Sequence, residues 1–194
     1  MAKSSSTRPN WSLLYETAAV QDGLFTTQQA AEAGYSPQLL VHHVRIRRVI
    51  RVCRGVYRLV HFPAGEHEDL AVVWLWSARE GVFSHQTALA LHGLSDVLPA
   101  RVHLTLPLAW RRRRLRVPLG VDLHCADISQ HERAWMGPVP ATTPARTLRD
   151  CARNELSPDL LRTAAQQALL RGLVARDDLA DVEEALAPFG GLAE

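Results

Sequence analysis

The stretch FTTQQAAEAGYSPQLLVHHVRIRRVIRVCRGVYRL, Phe25 to Leu59, decides the fold, because it reads as two short helices followed by a tight two-stranded hairpin. Thr26 opens the first helix, with Gln29 three residues on as its capping-box partner, and Gly34 supplies the left-handed residue a helix end needs. Tyr35 and Ser36 make the turn, Ser36 caps the second helix, and Pro37 sits where a missing N–H costs nothing. At about 100° per residue, Leu40, Val41 and Val44 are predicted on one arc of that helix and Gln38, His42 and Arg45 on the opposite one. The runs Val49 to Val52 and Val56 to Val60, joined through Cys53-Arg54-Gly55, predict a hairpin with its glycine at the turn. Together these features predict a winged helix-turn-helix.

A short helix that follows a tight turn and exposes Gln and Arg suits a major groove, since both side chains pair bidentately with base edges. The residues expected on DNA are Thr27, Gln38, His42, Arg45, Arg47, Arg48, Arg51, Arg54 and Arg58. None of residues 33–65 is acidic. The competing reading is a winged helix that binds only another protein.

The run from Phe25-Thr26-Thr27 through Ala33-Gly34-Tyr35-Ser36 to Arg51-Val52-Cys53-Arg54-Gly55-Val56-Tyr57 resembles the N-terminal domain of the AbiEi family of type IV antitoxins. The resemblance continues through Ser84-His85-Gln86-Thr87-Ala88, Leu91-His92-Gly93-Leu94 and Val102-His103-Leu104-Thr105-Leu106-Pro107 to Val139-Pro140-Ala141-Thr142-Thr143-Pro144-Ala145-Arg146-Thr147-Leu148-Arg149-Asp150. It implies a transcriptional regulator of a bacterial abortive-infection toxin–antitoxin pair that represses its own operon, with a nucleotidyltransferase-like toxin as genetic partner. One departure concerns the join between the second helix and the wing. Members usually carry a glycine there, and this chain has Arg47-Arg48.

Over 194 residues the apolar fraction of 47% fits a folded protein with one large or two small domains. No apolar run approaches the ~18 residues that span a bilayer, and the N-terminus lacks the apolar segment of a signal peptide, so no membrane partner and a cytoplasmic location are expected. Three cysteines, Cys53, Cys125 and Cys151, are widely spaced without a C-x-x-C pair, which argues against a disulfide framework or a zinc ribbon. Charge is uneven: residues 1–62 hold eight Lys or Arg against three acids, and residues 63–194 hold fourteen against seventeen. Lys3 is the only lysine. Arginine abundance therefore reflects composition, and position is what counts.

The fold class expected is α+β, a winged helix-turn-helix followed by a mixed α/β domain with a helical C-terminal cap. Residues 1–10 are expected to be disordered, 11–62 to form the DNA-binding domain, 66–187 an antitoxin or assembly domain, and 188–194 a tail. Trp11 to Gln21 reads as a first helix with Leu14, Ala18 and Val20 apolar. His61 to Gly65 is a break, and a helix with Trp74 and Trp76 follows from Glu68 to Arg79. Ser84 is expected to cap a helix through Leu91. Strands are expected at 101–106, at 121–125 and around Met136 to Ala141, with helices after Pro144, Pro158 and Arg176.

Arg111, Arg112, Arg113, Arg114 and Arg116 are expected in a hairpin loop between the first two of those strands. They form a candidate secondary site for phosphates or for the acidic run Asp177 to Glu194. Catalytic machinery is not expected. A P-loop and a PD-(D/E)xK nuclease both need a lysine that only Lys3 supplies, no H-E-x-x-H or G-x-S-x-G occurs, and a degenerate nuclease is the remaining third reading. His85 and His92 lie two turns apart without carboxylate or cysteine company, so they read as structural, and no metal or cofactor is expected. Specificity from a single winged helix is limited, so a dimer or cooperative assembly on operator DNA is expected.

Overall fold

The computed structural model of the chain describes residues 8–96, 99–154 and 156–192. The chain divides into two compact units, Met1–Arg79 and Glu80–Glu194. The first unit runs α1 (Trp11–Ala19), β1 (Leu24–Thr26), α2 (Thr27–Glu32), α3 (Pro37–Arg45), β2 (Val49–Cys53), β3 (Val56–Leu59) and α4 (Glu68–Trp76). The division falls after Arg79 and not in the 63–65 break, because α4 packs against β1 and β3.

Local chemistry explains the helix ends. Thr26 and Gln29 form the capping box of α2, Gly34 holds φ 84, and Ser36 accepts from the Leu39 N–H with Pro37 in the first turn of α3. Leu14, Ala18, Phe25, Ala30, Leu40, Val49 and Leu59 form the core beneath. The chain is ordered earlier than its composition predicts: Asn10 caps α1 by accepting from Leu13 N–H at 3.0 Å, and its own N–H donates to the Ala33 carbonyl at 2.9 Å. Residues 1–7 of the stretch read as disordered lie outside the described residues. Val20, read as apolar packing, is exposed beyond the end of α1.

β1 is the element the sequence does not announce. It is three residues long and pairs antiparallel with β3, giving a sheet of order β1-β3-β2 with the wing hairpin as its far edge. Two further departures concern α3. Its inner arc holds Leu40 and His43, and Val41 lies exposed on the outer arc. One residue of rotation separates the two readings, and an aromatic stack decides it: His43 lies on Trp11 at 5.7 Å and edge-on to Tyr35 at 5.3 Å.

The second unit is built on a five-stranded sheet of order β6-β5-β4-β8-β7. The strands are β4 (Val82–Phe83), β5 (Val102–Leu106), β6 (Val121–Cys125), β7 (Arg133–Met136) and β8 (Val139–Thr142), with α5 (His85–Leu91) between β4 and β5. Helices α6 (Pro144–Arg153), α7 (Pro158–Leu170) and α8 (Ala180–Leu186) form the cap, whose core joins Leu89 and Leu148 to Leu161, Ala164, Ala168, Leu179, Val182 and Leu186.

Three expectations change here. The strand read around Met136 to Ala141 is a hairpin, β7 and β8, turning at Gly137 with φ 60. β5 and β6 are parallel, so the arginine run belongs to a crossover and not to a hairpin loop. The segment read as a tail from residue 188 is docked: Arg162 donates to the Phe189 and Gly191 carbonyls, and Leu192 is buried in the cap. Ala193 and Glu194 lie outside the described residues. No helix among the described residues is long and apolar enough to cross a membrane.

Candidate nucleic-acid interface

The outer arc of α3 carries Gln38, Val41, His42 and Arg45, all exposed. The helix closes in a complete Schellman motif: Arg48 N–H donates to the His43 carbonyl at 3.0 Å and Arg47 N–H to the Val44 carbonyl at 3.1 Å. Arg47 thereby takes φ 56, the left-handed conformation usually left to glycine. α3 ends at Arg45, and the arginine pair is its cap.

Arg47 and Arg48 are both exposed, and Arg48 lies over the Trp11 ring with its guanidinium carbon 5.3 Å from the centroid. Burial, then the Arg48 and His42 charges, pushes the His43 pKa below its ordinary value. His43 therefore serves the stack as a neutral ring. Trp11, Tyr35, His43 and Arg48 form one continuous aromatic–cation column that fixes α3 against α1.

In the wing, Gly55 at φ 85 makes the turn and leaves Arg54 exposed at the tip. Arg51 is exposed and its Nε donates to the Cys53 carbonyl across the bulge between Arg51 and Cys53. Thr27 anchors the tip from the start of α2, its N–H donating to the Gly55 carbonyl at 2.9 Å. That makes Thr27 a positioning residue, half-buried, at the base of the wing.

Arg58 stands apart. It pairs with Glu68 at 3.0 Å and donates to the Phe62 carbonyl at 2.9 Å, with only 13% of its side chain exposed. Of the nine residues predicted on DNA, the structure therefore brings Gln38, His42, Arg45, Arg47, Arg48, Arg51 and Arg54 to open surface. Val41 joins them, and sequence reasoning placed it inside.

The chain has a recognisable relationship at this point. Residues 12–60 match the AbiEi family model, described as a transcriptional regulator, AbiEi antitoxin. The AbiEi match spans α1 through the wing and so covers every exposed residue of this surface. No curated protein matches the chain. Among solved structures it is similar to the crystal structure of the RV2827C protein from Mycobacterium tuberculosis, at 16% identity over 93% of this chain and 77% of that one, with a TM-score of 0.49.

In the second unit Arg111, Arg112, Arg114 and Arg116 are exposed and make no ion pair among the described residues, and Arg113 lies over Trp110 at 4.2 Å. Three of the acids expected to meet them are engaged elsewhere: Asp181 pairs with Arg153, Glu183 with Arg176, and Asp178 accepts from the Ala175 N–H. Cys53, Cys125 and Cys151 are free thiols, and burial pushes that of Cys151 up.

Proposed function

We propose that the chain is a DNA-binding transcriptional regulator that reads its operator with the outer arc of α3 and braces the flanking backbone with the wing. One observation carries this reading: Gln38, Val41, His42 and Arg45 on α3 and Arg47, Arg51 and Arg54 beside them are all open, on a segment without an acidic residue from 33 to 65. Gln38 and Arg45 supply bidentate donors for base edges, and Val41 supplies an apolar contact for a thymine methyl. Arg47, Arg51 and Arg54 supply phosphate contacts that fix register.

The AbiEi match supports the further reading of an antitoxin that represses the operon it shares with a toxin, the second unit carrying the antitoxin or assembly role. Such a protein binds as a dimer or cooperatively, because one α3 reaches only a few base pairs.

Titrating salt against affinity for the upstream duplex and for a random duplex tests this. Groove binding by several arginines gives a steep fall of affinity with salt and a preference for the upstream sequence. A shallow slope without sequence preference indicates a protein partner and overturns the reading.

A further inference from the structure

One face of the second unit's sheet is polar where apolar residues would ordinarily pack. Strand alternation puts His103 and Thr105 of β5 on the same face, and the parallel register sets Asp122 opposite His103 and His124 opposite Thr105. The start of α5 covers this face with Ser84, His85 and Thr87. His103 N–H donates to Thr87 Oγ1 at 2.8 Å, and Ser84 Oγ lies 2.7 Å from Thr105 Oγ1 and 2.9 Å from His85 Nδ1. Ser84 occupies the N-cap position of α5, yet its hydroxyl serves this cluster and not the helix amides.

Three imidazoles converge there. His85, His103 and His124 each present a ligand nitrogen within 4.8 Å of the others, with His85 and His103 buried and His124 half-buried. His103 Nδ1 and His124 Nε2 face each other at 3.0 Å, and the His85 ring lies 3.7 Å from that of His124. Nitrogens at zinc-bond length on a tetrahedral ion lie about 3.3 Å apart, so the first pair is already spaced for one ion, and the His85 ring, stacked on that of His124, turns to bring in the third nitrogen.

Burial, then the neighbouring imidazoles and Arg146, brings the His85 pKa down to about 3, and burial lowers His103 and His124 as well. The nearby guanidiniums are neutralised: Arg101 pairs with Asp122, and Arg146 with Glu132 and Asp150. The backbone is strained to hold the arrangement, since His85 takes φ 51 as the first residue of α5.

We propose that His85, His103 and His124 form a binding site for one first-row divalent metal ion of the zinc type. A nitrogen-only set favours zinc, cobalt, nickel or copper over magnesium or calcium, which take oxygen ligands. Three protein ligands leave a fourth position for water or an exchangeable ligand. That position faces the β6 side, because β6 is an edge strand and His124 is the ring that is only half covered. Ser84 is a positioning residue that orients His85 through Nδ1, as outer-shell partners of metal-bound histidines do. Without metal, His103 and His124 share one hydrogen in an N–H···N bond.

The test uses the full chain stripped with chelator and titrated with Zn2+ and Co2+. One equivalent of Zn2+ raises the melting temperature, and Co2+ gives the intense visible absorption of a tetrahedral ion. His103→Gln and His124→Gln each weaken Zn2+ binding about 100-fold or more, Ser84→Ala weakens it about 10–100-fold, and His131→Gln leaves it unchanged.

X-ray absorption of the zinc-loaded wild-type chain, which does not depend on any variant folding, shows imidazole nitrogen neighbours and no sulfur. A sulfur neighbour, the absence of a stoichiometric complex, or full binding by a folded His103→Gln, His124→Gln double variant would each overturn the proposal and leave a stacked histidine ladder. Operator affinity of the same variants stays within a factor of two, so failure of this site and failure of the DNA reading are distinguishable.

Discussion

Arg48 N–H donates to the His43 carbonyl at 3.0 Å, and the residue between them in the cap, Arg47, is held at φ 56. A side chain with a Cβ in that region costs roughly 1–2 kcal/mol, which glycine does not pay. Arg47→Gly should therefore raise stability by about 1 kcal/mol in a denaturant titration while weakening binding to every duplex. Arg47→Asn, which tolerates the left-handed region, should lose the same affinity without destabilising the chain. A destabilised Arg47→Gly would mean that the side chain contributes packing that outweighs the strain.

Gln38→Ala and Arg45→Ala should each cost about 1–3 kcal/mol on the preferred operator if the residue makes a bidentate base contact. They should cost much less on random duplex, and the melting temperature should hold because both side chains are exposed. Competition binding against the two duplexes gives the answer. Equal losses on both would place these residues on phosphate and move base reading to His42 and Val41.

What was legible in the sequence was what short-range chemistry decides. Thr26 with Gln29, Gly34, Ser36-Pro37 and Gly55 each act within four residues, and each stands where its type predicts. Val41 reads as inside because hydrophobicity ranks valine there, whereas Trp11, distant in the chain, makes a stacked neutral His43 the better inner residue. β1 and β4 are two or three residues long and exist only through their partners, so no periodicity marks them. The histidine cluster had a partial signal: His103 and His124 each occupy the polar phase of an alternating strand. Only the parallel pairing of β5 and β6 puts them together, and His92, read like His85 as structural, bonds the Thr142 carbonyl through Nε2 at 2.7 Å.

The wing arginines should separate into two behaviours. Arg54→Ala should weaken all duplexes alike and reduce the magnitude of the salt slope by about one, with stability unchanged. Arg58→Ala should instead cost roughly 1.5–3 kcal/mol of stability, because it leaves Glu68 without its ion-pair partner and the Phe62 carbonyl without its charged donor, and should leave the salt slope alone. Parallel measurements of slope and unfolding free energy decide. A reduced slope for Arg58→Ala would return it to the interface.

Acid should loosen the second unit through Glu132. Burial opposes ionisation there, but bonds from Ser129, Arg149 and Arg146 prevail and take the carboxyl from 4.5 down to about 2. The folded pKa lies below the unfolded one, so this contribution is full above about pH 4.5 and is lost as pH falls towards about 2. Asp150 works in the opposite sense, since burial raises its pKa and folding then takes up its proton more readily. Glu132→Gln should be less stable than wild type at pH 6, and the difference should narrow by pH 3. A constant difference across that range would mean that Glu132 contributes shape and not charge.

The arginines of the β5–β6 crossover pose the remaining question, because all five are open and without an ion pair among the described residues. Removing everything after Arg176 cannot serve as a test of an acidic partner, since Leu179, Val182 and Leu186 belong to the buried core of the cap. Arg112→Gln, Arg113→Gln and Arg114→Gln together leave that core intact and so isolate the charge. If the crossover holds flanking phosphates, the triple variant should keep its affinity for a minimal operator and lose it for a longer duplex, with a salt slope lower by about two to three. Its melting temperature should stay within a degree or two, apart from the loss of the Arg113–Trp110 contact at 4.2 Å. Equal affinity for both duplex lengths would leave the run as a solvated crossover, kept extended by repulsion among its own charges.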